Sequence, residues 1–126
     1  MCWKFIVVFV GGGLGAALRY AAALLAGRWW GSGLPGTFTV NMLGCLALGA
    51  LYGAVQGRLT PGLSEEARLL VAVGMLGALT TFSTLNWEIF SLLRAGRFVC
   101  AAAYLLGSAA LGLLCVAAGY CVTHSR

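Results

Sequence analysis

The chain has 126 residues, 61% of them hydrophobic and only 9% charged, with a formal net charge of +5. A soluble domain carries about 25% charged residues, and a mean hydropathy of +0.96 excludes a water-facing surface over most of this one. The basic residues stand singly between apolar runs rather than in a patch, which argues against nucleic acid and for flanks of membrane segments.

A membrane-crossing helix needs about 20 apolar residues. Residues 4–26 supply the first span, interrupted only by Arg19. Lys4 and the Ala-rich stretch after Tyr20 resemble parts of a signal peptide. The apolar chain that follows leaves no soluble domain to export, so this segment is expected to stay as a membrane helix. Gly11 and Gly15 form a GxxxG pair, a spacing that lets helix backbones approach closely in lipid.

Residues 34–56 form a second span with no charged residue. Gly49, Gly53 and Gly57 repeat the small-residue spacing. Thr37 and Asn41 share a helix face, and their polar groups serve either interhelical hydrogen bonds or a solute. The linker that follows, with Pro61 and Gly62, is rich in turn residues. Ser64 then offers an N-cap, with Glu65 and Glu66 in the first turn of the next helix.

The third span covers residues 68–93. It contains Gly74 and Gly77, then Thr80-Thr81-Phe82-Ser83-Thr84. Glycine weakens a helix and hydroxyl side chains compete for its backbone bonds. The sequence therefore predicts a break near the bilayer midplane, which lipid tolerates only where it is buried or lines a cavity. Glu88, the acid within the spans, is expected to pair with an arginine such as Arg19 or Arg94. A tight hairpin around Gly96 leads into the fourth span, residues 98–122, where Tyr104 and Ser108 share a face.

The expectation is an all-α membrane protein, one four-helix domain over residues 1–126. With four spans, Lys4, Arg58, Arg68 and Arg126 share one side, and Arg28, Arg94 and Arg97 the other. So even a distribution gives the positive-inside rule little to read. Such a chain can insert both ways, which permits a dual-topology antiparallel homodimer, the expected assembly; the alternative is a weak bias read well enough to give one orientation. The five cysteines lack metal-ligand spacing and read as small apolar residues. No catalytic motif is present, and an enzyme is not expected.

The polar groups in the spans are hydroxyls, an amide and aromatics. They suit an anion better than a proton-coupled pump, which needs a titratable group in its path. At Gly12 to Tyr20, Gly36 to Gly44 and Gly74 to Glu88 the chain resembles the CrcB/Fluc family of fluoride channels, in the same order and over its full length. The resemblance implies passive fluoride efflux across the cell membrane, which relieves fluoride toxicity. It implies dual-topology antiparallel homodimers with two pores. It also implies a structural sodium ion at the dimer centre, held by the backbone carbonyls of Gly77 and Thr80. The implied fluoride pathway runs over Asn41, Phe82, Ser83, Thr84, Tyr104 and Ser108. On charge alone, Arg19 either draws anions into a vestibule or snorkels to the interface. Leu85 stands where the family usually has a second phenylalanine, and Gly112 where the polar track often has another hydroxyl. Two rivals remain. One is a small four-helix multidrug-type exporter, which needs a first-helix carboxylate that this chain lacks. The other is a non-conducting membrane subunit.

Overall fold

The computed structural model describes residues 1–57 and 63–124. Arg58, Pro61, Gly62 and Arg126, which entered the charge and linker arguments, lie outside the described residues. The described chain is helical throughout, with no strand. Four of its helices are long and apolar enough to cross a membrane.

Helix α1 is Cys2–Trp30. It stops at Gly31, whose φ of 66° is left-handed and lets its N–H reach the Gly27 carbonyl at 3.0 Å. Ser32 Oγ accepts the Leu34 N–H at 3.2 Å as α2, Leu34–Gln56, begins with Pro35 in its first turn. Across the next connection, Ser64 Oγ accepts the Ala67 N–H at 3.1 Å and caps α3, Glu65–Arg68. Leu69–Leu76 continues the third span as a π-helical stretch, and α4, Gly77–Leu79, completes its first half. Its second half is α5, Phe82–Arg94. A turn through Gly96, at φ 72°, leads into α6, Phe98–His124.

The spans pack in two close parallel pairs. Gly11 and Gly15 of α1 lie directly against the backbone of Leu70 and Met75 in the third span. Gly49 and Gly53 of α2 lie against the Val116 and Tyr120 carbonyls of α6, and Gly119 returns the contact at Leu46. At these positions a side chain would occupy the neighbouring backbone, so the absence of Cβ sets the interhelical distance. Thr123 Oγ1 adds a hydrogen bond of 2.8 Å to the Ala50 carbonyl.

A small cluster of Leu85, Ile89, Leu92 and Ala101 joins α5 to α6, with Leu34 and Tyr104 against it. Most other large apolar side chains face outward, as with Phe9 at 80% exposure and Trp29 at 70%. In a bilayer, lipid covers that surface; the internal contacts that fix the bundle are the glycine seams and a few polar bonds.

Candidate functional site

The site is built around two extended residues. Helical geometry ends at Leu79. Thr80 (φ −78°, ψ 152°) and Thr81 (φ −149°, ψ 117°) are extended, and Phe82 restarts the helix. Thr80 still anchors backwards, its N–H and its Oγ1 both donating to the Leu76 carbonyl, at 3.1 and 3.0 Å. Thr81 anchors forwards as the N-cap of α5, its Oγ1 accepting the Thr84 N–H at 3.2 Å. The same Oγ1 donates to Thr84 Oγ1 at 3.0 Å and lies 3.3 Å from Ser83 Oγ, so three hydroxyls form one cluster.

Helix α2 meets this segment at two points one turn apart. Asn41 Oδ1 accepts the Thr81 N–H at 2.8 Å, and Asn41 Nδ2 donates to the Thr81 carbonyl at 3.2 Å. Gly44, without a Cβ, leaves the space that the Thr80 methyl fills. In an unbroken helix the Thr81 N–H would donate to the Gly77 carbonyl; here that donor has gone to Asn41. Gly77 itself is exposed on the protomer.

Two cavities flank the segment. The first, of about 380 Å³, is an open groove lined by Asn41, Gly77, Thr80, Phe82, Leu85 and Ser108, among others. Phe82 is 76% exposed, whereas Leu85, one turn on, is 8% exposed and packed in the α5–α6 cluster. Ser108 is 7% exposed, and its Oγ has no hydrogen-bond partner among the described residues. A buried hydroxyl without a partner costs free energy unless something else satisfies it. Gly112 extends the α6 face at this groove, where it meets Cys45 and Met42. The second cavity, of about 250 Å³, is lined by Arg19 and Tyr20 with Thr37, Thr81 and Thr84. Arg19 has no carboxylate partner among the described residues.

The residues named from sequence therefore divide. Asn41, Phe82, Ser108, Gly77 and Thr80 meet at the first groove, and Thr84 and Arg19 at the second. Ser83 is exposed and linked through Thr81. Tyr104 points elsewhere: its hydroxyl donates to Glu88 Oε2 at 2.7 Å. Thr37 Oγ1 donates to Glu88 Oε1, also at 2.7 Å. Glu88 thus pairs with two neutral hydroxyls and with neither Arg19 nor Arg94, contrary to the sequence expectation. The fold brings donors from α2 and α6 onto it before any guanidinium reaches. Thr81, which lines both cavities and caps α5, was not singled out in the sequence. A threonine three residues before Thr84, at a helix restart, was the available signal.

Comparison with known proteins adds the family relationship. The family described as "CrcB-like protein, Camphor Resistance (CrcB)" matches residues 6–120. A protein named fluoride-specific ion channel FluC from Chloroflexus aurantiacus is 44% identical over 117 residues, covering 92% of this chain and 91% of its own. The FluC of Methylobacterium nodulans is 46% identical over 119 residues, with 93% of each chain covered. That of Phocaeicola vulgatus is 36% identical over 117 residues, covering 92% of this chain and 94% of the relative.

Proposed function

The chain belongs to the CrcB-like family, and from that membership we propose that it is a fluoride-specific ion channel. It is a multi-pass membrane protein whose activity is transport, and no covalent bond is made or broken. In a bacterium it sits in the cell membrane, where it gives fluoride a passive way out and relieves fluoride toxicity.

Fluoride is small and holds its water tightly, so a pathway must replace that water with close donors. Amide N–H groups and hydroxyls do this, with the positive edge of an aromatic ring as a weaker addition. The observation that carries the reading is the first groove. There the buried, unpartnered Ser108 hydroxyl and the Asn41 amide stand beside the exposed ring of Phe82. Ser83 and Thr84 extend the pathway through the Thr81 hydroxyl cluster, Tyr104 stays committed to Glu88, and Arg19 draws anions into the second cavity as a vestibule. Once the groove is closed, a bore matched to fluoride would exclude chloride by size.

The groove is open in one protomer, and a second copy closes it. Two chains pair antiparallel, inserted in opposite senses, and each pair carries two pathways. The break in the third span lies near the bilayer midplane, with its first half facing the partner. The carbonyls of Gly77 and Thr80 would hold a structural sodium ion there. The donor set fits: both are neutral backbone oxygens at an unwound segment, and Gly77 has lost its helical donor to Asn41. When bound, the cation supplies charge that joins the two broken helices.

The reading is tested by growth. Expressed in a bacterial host made fluoride-sensitive by loss of its own fluoride exporter, the chain restores growth on fluoride. N41D, which puts a negative charge in the groove, fails to do so at equal expression. Rescue by N41D equal to that of the unaltered chain would remove Asn41 from the pathway, and no rescue by the unaltered chain would contradict fluoride efflux.

A further inference from the structure

We infer that Asn41 is a positioning residue: its carboxamide takes the place of a peptide group and splints the extended Thr80–Thr81 segment to α2. Its relevance to conduction rests on the channel reading above, but the splint itself stands on geometry.

Breaking a helix inside a membrane strands backbone groups that no water can satisfy. Thr81 presents an N–H that no longer reaches Gly77, and a carbonyl that accepts the first bond of α5 but keeps a second lone pair open. One side chain answers both. Asn41 Oδ1 takes the N–H at 2.8 Å and Nδ2 reaches the carbonyl at 3.2 Å, across a separation of 40 residues. A backbone N–H can only donate, so the oxygen of the carboxamide must face it, and the nitrogen then meets the carbonyl. Asparagine is the side chain of this length that carries a donor and an acceptor side by side.

The splint has three consequences. It fixes Thr81, 6% exposed, whose hydroxyl caps α5, and so sets where that helix starts and where Phe82 points. It leaves Gly77 without its helical donor. And it commits one of the two Nδ2 hydrogens, leaving one for any solute in the groove. Gly44 supports the same docking one turn along α2, by admitting the Thr80 methyl.

The test is amide hydrogen exchange at Thr81, read by NMR on the full-length protein in nanodiscs without fluoride. Asn41→Leu keeps the side-chain bulk and removes both polar groups. Asn41→Asp keeps an acceptor for the Thr81 N–H and loses the donor. Exchange at Thr81 follows the bond that its own N–H makes, and losing that acceptor accelerates it about five- to tenfold. The splint therefore predicts that much faster exchange at Thr81 in N41L and a near-unaltered rate in N41D. The Ala101 amide, which bonds to the Arg97 carbonyl at 3.0 Å on a different element, should keep its rate in both and reports global unfolding. Thr81 exchange as slow in N41L as in the unaltered chain would reduce Asn41 to packing. Exchange in N41D as fast as in N41L would show that the bond to Oδ1 does not hold the segment. If N41L unfolds, Asn41→Ala, which also removes both polar groups, takes its place with the same two readings. No outcome depends on fluoride, so failure here and failure of the channel reading are separate results.

Discussion

The Tyr104 hydroxyl lies 2.7 Å from Glu88 Oε2, and this contact between α6 and α5 gives the acid within the spans a neutral partner. Thr37 closes on the other carboxylate oxygen from α2, so one residue ties three helices. The site lies towards the end of the span: Glu88 Oε1 is also the nearest group to Gly33, in the α1–α2 connection. Removing the carboxylate leaves the buried Thr37 hydroxyl short of this acceptor, at about 1–3 kcal/mol, and Tyr104 with only the Leu34 carbonyl at 3.4 Å. Glu88→Ala should therefore lower the thermal midpoint of the purified protein clearly. Glu88→Gln, which can still accept from one hydroxyl and donate to the other, should lower it much less. Equal midpoints for E88A and the unaltered chain would show that the network contributes nothing to stability.

Phe82 presents a ring that is 76% exposed in the protomer, so its value lies in what it faces rather than in packing within the chain. Phe82→Ile keeps most of the bulk and removes the ring edge. Fluoride flux should fall several-fold while the elution volume of the assembly stays unchanged. Flux equal to that of the unaltered chain would make the ring a packing element between copies.

The glycine seams make a pair of opposite predictions on one helix. Gly15 lies directly against Met75 backbone, whereas Gly13 has no atom within 4 Å of the position a Cβ would take. Gly15→Val forces two backbones apart and should destabilise by about 1–3 kcal/mol or more, as overpacking does. Gly13→Val should be tolerated, since lipid accepts its side chain. Unfolding in a denaturing detergent series distinguishes them, and equal sensitivity of the two variants would contradict the seam.

Dual insertion is checked at the α1–α2 connection. Gly33 is exposed and has an ordinary backbone angle, φ −77°, so a cysteine fits there. In a background with the native cysteines replaced, G33C should react with a membrane-impermeant thiol reagent in part from each face of the cell membrane. Reaction from one face alone in intact cells would refute the antiparallel pair.

The spans were legible because lipid imposes a length and an apolar composition that few other structures share. Two of their ends were marked by Ser64 and Gly96, each of which acts locally. Partners supplied by other helices were not legible. Glu88 looked like half of an ion pair because sequence reasoning matches an acid with the nearest bases. Its actual donors, Thr37 and Tyr104, lie 51 and 16 residues away. Asn41 read as a donor for a solute or as interhelical glue. That it spends both kinds of group on the backbone of one residue follows from how α2 docks on the third span, which no local pattern encodes. The same holds for Leu85: its identity was plain in the sequence, but its burial in the α5–α6 cluster belongs to the packing.

The central claim is that the assembled chain passes fluoride and not chloride. The most direct measurement is anion efflux from liposomes containing the purified protein, read with a fluoride electrode and, in parallel, a chloride electrode. The account predicts rapid fluoride release above that of protein-free liposomes, with no chloride release above the same baseline. Silence to fluoride from well-folded protein, or equal release of both anions, would contradict it.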